Sequence, residues 1–531
     1  MTIYGSMPGM GTPELPVPDG LVLRPFRGVR FAVEDPAKVT SPPYDLISDA
    51  DVDALLHLHP NNVVRLILPR TPRPDSAHTT SATQPLPDTA GTLPGTHTLP
   101  ADDALPGVDE LPPETRYAEA RDTLQSWLHA GILVPDDRPA LYVYEQHGPY
   151  FLQRGLIGDV ALTDPGQHVI LPHEDVMPGP IADRLALMST TQANLEPIFL
   201  LYDGAGGPTT RLVEEVATRR RPLVSAETED GVTHRLWAIT DTSEIATINA
   251  DLHDRQALIA DGHHRYATYR VLQRQERLAH PPAEPSPTPS DTTSRGMASG
   301  NAAPTGVVFS SSAARPGGAA AGPTPAHSSP ADGSHQPPST TLVAPWDFGL
   351  ALLVDSTAYP PDLKAIHRVI PGLPLAKAAA QARQSWRVQD FGTLAEGLAA
   401  FEKSPDPAFL LADEAGAYLI TDPDPVQLAR AMPADHSDRW NSLNTSILSE
   451  FILPKVWGMR DDEQAVRIVH HDIEAAAKLA TSTGGTAVIL KPLATEDVLA
   501  IAAGGERVPR KSTSFGPKPR TGLVLRTFAI N

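Results

Sequence analysis

The chain contains no cysteine. Disulfides, thiolate catalysis, iron–sulfur clusters and cysteine-based zinc sites are therefore excluded. Aromatic residues make up only 5% of its 531 residues. No uncharged apolar run reaches the length of a bilayer span. The N-terminus has no basic region followed by an apolar core, so no signal peptide is expected. Positive charge is also scarce, with 43 Lys and Arg against 63 Asp and Glu and a net charge of −20. That balance argues against duplex nucleic acid or an anionic membrane as the main partner, while leaving room for a local basic pocket. A cytoplasmic protein is the expectation.

Proline, by contrast, is abundant and unevenly placed. Segments 72–112 and 281–341 hold 20 of the 56 prolines in 102 residues, among Ser, Thr, Ala and Gly. Such composition buries too little apolar surface to offset ordering, so both read as disordered insertions, as does the N-terminus at 1–18. The remainder, within 19–531, is enough for one large or two ordinary domains. A long insertion is compatible with an intact core, because loop-closure entropy grows slowly with length.

Outside the tracts, helical and strand patterns alternate. Strands are expected at 63–68, 141–144, 151–162, 197–201, 257–260, 348–354, 486–490 and 523–528, with a hairpin over 408–421. Helices are expected at 115–130, 181–193, 210–219, 243–254, 375–384, 440–455, 473–481 and 495–503. The mixture predicts an α/β or α+β core.

The segment ADGHHRYAT, residues 260–268, ends an apolar run, turns on a glycine and enters a helix. Gly262 permits a tight turn or a close ligand approach. Asp261 is a good N-cap. The amides of His263, His264 and Arg265 would face out of the helix N-terminus, where anions bind. Arg265 could fork onto a phosphate, and the imidazoles could donate hydrogen bonds or move a proton. Three cations in a first helical turn are misplaced unless an anion visits. A second cluster is HEDVMPGPIADRL, residues 173–185. His173 and Glu174 close a strand, which suits acid–base work or magnesium binding. Asp183 and Arg184 ride on the next helix. Weaker signals are the SPPYDLIS turn with Tyr44 and Asp45, and IHR at 366–368 with His367 and Arg368. The loop RKSTSFGPKPRTG, residues 510–522, sets Arg510, Lys511, Lys518 and Arg520 around Ser512 and Thr513, which suits phosphate oxygens.

In this order, SPPYDLIS, NNVVRLILP, HEDVMPGPIADRL, TQANLEPIFLLY, ADGHHRYATYR, IHRVI and GERVPRKSTSFGPKPRTGLVL resemble the family called domain of unknown function 1015. The resemblance spans nearly all of the chain outside the tracts. That family has no settled activity. The DGHHR turn also resembles the phosphate-binding turn of the ParB/sulfiredoxin superfamily. Its members include CTP-binding partition switches, ATP-using sulfiredoxins and a ParB-like free-serine kinase. The resemblance implies a ParB/sulfiredoxin-like nucleotide-binding core with additional α/β elements. It puts Asp261 near the transferred phosphate or the acceptor hydroxyl, and His263, His264 and Arg265 on phosphates. Two features depart from it. Ile181 stands where many relatives of the first family have lysine, and no DNA-reading helix-turn-helix is evident.

The leading expectation is a phosphotransferase that binds ATP, ADP or another nucleotide with magnesium and acts on a small hydroxylated molecule. Asp261, Glu174, His173 and His264 would be catalytic. Gly262, His263, His264, Arg265, Lys511, Ser512 and Thr513 would hold phosphate, with Glu174 as magnesium ligand. Tyr44, Asp45, Arg184, His367 and Arg368 would support them. The alternatives are a nucleotide-binding switch or scaffold without turnover, and a metal-dependent hydrolase using His173, Glu174, His263 and His264. The oligomeric state stays open. The one-site reading expects the turns at 44–45, 173–174, 261–265 and 511–513 to line one cleft.

Overall fold

Alternating apolar residues build two large sheets whose central strands are buried on both faces, beside three two-stranded ones. The protein is seen here as a computed structural model describing residues 15–70, 113–280, 344–462 and 465–530. The two Pro-rich tracts and residues 1–14 lie outside the described residues. Residues 15–18 form no regular element, although Pro16 and Pro18 are buried.

The larger sheet has nine strands. Its order is Ile170–Leu171, Ala257–Asp261, Ile198–Tyr202, Phe348–Asp355, Leu152–Ala161, Leu141–His147, Thr233–Ile239 and Val224–Glu227, with Leu23–Arg24 beside Leu152–Ala161. Two neighbouring pairs are parallel, and the rest are antiparallel. Leu141, Val143, Leu156, Ile198 and Leu200 face one core, and Tyr142, Tyr144, Ile157, Phe199 and Leu201 face the other. This is the period-two pattern of a sheet covered on both sides. The smaller sheet is wholly antiparallel, in the order Arg387–Phe391, Ala417–Thr421, Phe409–Ala412, Thr486–Ile489, Ile366–Ile370 and Arg467–His470. The fold is mixed α/β, as the alternating pattern predicts. Among the described residues no helix is long and apolar enough to cross a membrane.

Three local expectations fail for identifiable reasons. The run at 63–68 forms a helix, Val64–Ile67, rather than a strand. The Asn62 side chain accepts from the Val64 amide at 3.0 Å and donates to the carbonyls of Lys38 and Thr40. Those local hydrogen bonds, with burial of Val63, Val64, Leu66 and Ile67, override β-branched propensity. The continuous helix expected at 440–455 is split into Asp438–Ser442, Asn444–Ile447 and a π-helical stretch, Leu448–Val456. Leu443 is extended at the first break, and Pro454 removes a donor inside the last piece. At 523–528 the expected strand is reduced to Arg526–Thr527, paired with Ala193–Asn194, and a single bridge from Leu525 to Val29, with the Arg526 side chain fully buried 2.6 Å from Asp159.

The site is positioned by the long helix His263–Ala279, which follows directly on the strand Ala257–Asp261. Gly262 joins them at φ 92°, the left-handed region that glycine tolerates. A Cβ there would also sit 2.9 Å from Ile198 Cγ2. Both conformation and space therefore demand glycine. Gly262 itself is the N-cap, and no side chain caps the helix. Asp261 therefore does not cap it, contrary to expectation; it ends the strand and its carboxylate is used elsewhere.

Candidate functional site

Four segments distant in sequence meet in one cleft. Tyr44 and Asp45 enter from the Pro-Pro turn, Glu174 from the end of the strand Ile170–Leu171, the 261–265 turn from the neighbouring strand, and Lys511 and Thr513 from the C-terminal loop. Lys518 joins them from the basic 510–522 loop, and His470 from the smaller sheet and Phe515, neither with an assigned sequence role, line it as well.

Charges within the cleft are largely matched. Lys518 Nζ lies 2.6 Å from Asp45 Oδ2 and 2.7 Å from Asp261 Oδ1. Burial would depress its pKa, but Asp261 and Asp45 outweigh that and raise it. Arg265 is only 4% exposed. It donates to the Pro197 carbonyl at 2.6 Å and to Asp261 Oδ2 at 2.5 Å, with Tyr44 beneath its guanidinium. Arg265 is thus not the open fork the sequence pattern implied; it is built into the wall.

The histidines are corrected in the same way. Burial, with neighbouring positive charge, pushes the pKa values of His263 and His264 down, so both are neutral near pH 7. His263 Nε2 accepts from the His173 amide at 3.4 Å, and His264 Nε2 accepts from the Met177 amide at 3.0 Å. The expected crowd of three cations therefore dissolves into two neutral acceptors and one paired arginine. Lys511 is what remains. Its ammonium lines the cleft and makes no hydrogen bond or ion pair among the described residues. Its backbone is held in the left-handed region, φ 55°. Arg368 Nη2 donates to the carbonyls of Arg510 and Lys511, both at 2.9 Å, and so braces the loop from behind.

Beside Lys511 lies a buried acid–base group. Burial raises the pKa of Glu174, although Thr513, Lys511 and the amides of Thr513 and Ser512 pull the other way. Glu174 Oε1 accepts from the Ser512 and Thr513 amides at 3.2 Å and from the Thr513 hydroxyl at 2.8 Å. Thr513 Oγ1 also lies 2.7 Å from His173 Nε2. His173 is fully buried, and burial pushes its pKa down to about 3.

The other expected residues sit outside the cleft. The Ser512 hydroxyl turns back to the Pro509 carbonyl at 2.5 Å. Arg184 is buried, donates to the Ile67 carbonyl at 2.8 Å and supports the Tyr44 ring from 4.5 Å. His367 accepts from the Leu490 amide at 3.3 Å, and burial takes its pKa down to about 4.

Magnesium fits this donor set poorly. Glu174 Oε1 is saturated by three donors, and Asp45 and Asp261 share the Lys518 ammonium. His173, His263 and His264 each have a ring nitrogen committed. Among the described residues no three His, Asp or Glu side chains cluster as metal donors. Glu174 Oε1 and one ring nitrogen of each of His173, His263 and His264 are therefore already engaged.

Buried imidazoles make stability pH-dependent. His173, His234 and His367, at about 3, 4 and 4, together with His263, His264 and His470, are all held below their ordinary 6.5 by burial. The unfolded chain protonates them as pH falls through 6.5, while the native chain does not. Their contribution is complete above 6.5 and is lost as pH falls below it, down to about 4 for His234 and His367 and about 3 for His173, each of these three steepening the fall by about 1.4 kcal/mol per pH unit. Glu174 and Glu196, raised by burial, act in the opposite sense but are fewer. Urea midpoints measured from pH 7 to pH 4.5 should decrease. A constant midpoint would contradict the burial of these groups.

Among solved structures, one similar to this chain is a free serine kinase variant in complex with ADP, at 10% identity and TM-score 0.31, covering 71% of this chain and 94% of that one. A second is SbnI from Staphylococcus aureus with a C-terminal truncation, at 9% and 0.32, covering 70% and 88%. A third is a conserved hypothetical protein from Pyrococcus furiosus, at 11% and 0.29, covering 68% and 90%. At these scores the likeness neither defines this fold nor says what the cleft binds. None of the curated proteins matches the sequence. Residues 23–87 and 101–294 match a family described as "Protein of unknown function (DUF1015)", and these include the Tyr44 turn, the His173–Glu174 strand end and the Gly262 turn. These two segments of the chain belong to that family.

Proposed function

We propose that the cleft binds the phosphates of a nucleotide and transfers a phosphoryl group to a small hydroxylated acceptor. The observation that carries this reading is the unpaired Lys511 ammonium facing the same cleft as the uncapped N-terminus of a 17-residue helix. Free amides and the positive end of a helix dipole favour an anion there. A lysine held beside them adds charge without needing to break an existing pair. Phosphoryl transfer asks mainly for positioning and charge stabilisation, which a braced loop and a rigid turn supply.

Roles follow from what each group touches. Lys511 and the helix N-terminus hold phosphate oxygens. Arg265 and Lys518 are spent on Asp261 and Asp45, so these four form a fixed, nearly neutral wall. Glu174 is the proton acceptor, because burial lifts its carboxyl toward the working range of a general base. His264, whose pKa is lowered in the free protein, is placed to gain a proton when an anion arrives.

Glu174→Gln tests the assignment. Glutamine keeps an oxygen for the Ser512 and Thr513 amides but takes up no proton. Nucleotide affinity should stay within a few-fold while phosphoryl transfer falls about 100-fold or more, the range of a lost general base. Equal loss of affinity and turnover would instead make Glu174 a binding group. Binding without any transfer in the wild type would leave a nucleotide-binding switch.

A further inference from the structure

Thr513 is placed for more than anchoring its loop. Its hydroxyl lines the cleft, 2.8 Å from Glu174 Oε1 and 2.7 Å from His173 Nε2. A hydroxyl held between a carboxylate and an imidazole is the arrangement of an activated nucleophile whose base is itself oriented. Both partners are fixed. The His173 ring meets His263 and Phe515 edge-on, at 4.5 and 5.6 Å between centroids. The Glu174 carboxylate is pinned by two backbone amides. Thr513 is held on both sides as well. Arg368 grips the carbonyls of Arg510 and Lys511 before it, and Ser514–Gly516 pairs with Asp362–Lys364 after it. The unpaired Lys511 ammonium lies two residues away along the same loop.

We propose that Thr513 is a phosphorylation site within the cleft, with its hydroxyl accepting the terminal phosphoryl group of a nucleoside triphosphate bound at Lys511 and the helix N-terminus. This rests on the nucleotide reading of the site. In the step, Thr513 Oγ1 forms a bond to the terminal phosphorus as the bond from that phosphorus to the bridging oxygen breaks. The nucleoside diphosphate leaves with the electron pair, and the hydroxyl proton passes to Glu174 Oε1. The product carries about −1.5 to −2 charge at neutral pH. Lys511 and the helix N-terminus are the groups placed to stabilise it.

The test incubates the full-length protein with magnesium and ATP labelled in the terminal phosphate. Incorporation is then followed by intact mass and by peptide mapping, with ATP binding measured in parallel by thermal shift. The expected result is one phosphoryl group per chain, mapped to Thr513. Label should be retained in Thr513→Ser and lost in Thr513→Val, which still binds ATP. Should Thr513→Val fail to fold, the mapped position in the wild type decides. ATP binding without incorporation, or label that maps elsewhere, overturns the proposal and leaves the nucleotide site standing. Absence of ATP binding removes both.

Discussion

Arg265→Ala should destabilise the fold by about 3 kcal/mol, toward the lower end of the 3–5 kcal/mol typical for removing one partner of a buried ion pair. The arginine is 4% exposed and holds the Pro197 carbonyl and Asp261 from a single guanidinium. Its removal leaves Asp261 short of a donor in a buried wall. Lys518, at 2.7 Å, still faces that carboxylate, which is why the loss stays near the lower end. The sequence pattern instead offers Arg265 as a fork onto phosphate, which would place its contribution in ligand affinity rather than in stability. Chemical denaturation distinguishes the two. A midpoint unchanged from wild type would return Arg265 to the ligand. Adding Asp261→Asn to Arg265→Ala should recover part of the loss, because the orphaned charge disappears, and a double-mutant cycle measures that coupling.

Lys511→Ala should have the opposite profile. The half-buried ammonium makes no hydrogen bond or ion pair among the described residues, so its loss should alter stability by less than about 0.5 kcal/mol. A charge-assisted contact to phosphate is worth about 1.5–3 kcal/mol, so nucleotide affinity should fall about 10- to 150-fold. Lys511→Arg should recover part of it, with the charge restored on a different geometry. Chemical denaturation of the three proteins reads the first quantity, and calorimetric titration of ATP into them reads the second. Equal affinity in wild type and Lys511→Ala would show that the phosphates lie elsewhere in the cleft.

How much of this was legible beforehand differs from element to element. The strand–glycine–helix turn at 262 could be read exactly where it occurs, because glycine, a preceding apolar run and helical spacing are local signals. Convergence of the turns at 44–45, 173–174, 261–265 and 511–513 followed from treating several short polar motifs as parts of one site. Charge state was not legible. HHR reads as three cations, but burial neutralises two and pairs the third, and burial is a property of the whole fold. The partner of Lys518 was hidden for the same reason, since Asp45 lies 473 positions away in sequence. His470 sits at the end of an edge strand of the smaller sheet and belongs to no polar motif, so nothing local marked it. The helix at Val64–Ile67 is not legible locally, because its β-branched composition favours a strand and the Asn62 side-chain bonds that hold the turn reach back to residues 38 and 40.

The most direct measurement of the central claim is a thermal-shift series on the wild-type protein with ATP, ADP, AMP and pyrophosphate, each with magnesium. If the cleft is a nucleotide phosphate site, at least one nucleotide at a hundred times its dissociation constant should stabilise the fold by about 2.7 kcal/mol. That shift should be cut sharply in Lys511→Ala at the same concentration. A melting temperature unmoved by any of the four, or moved equally in both proteins, would contradict the account.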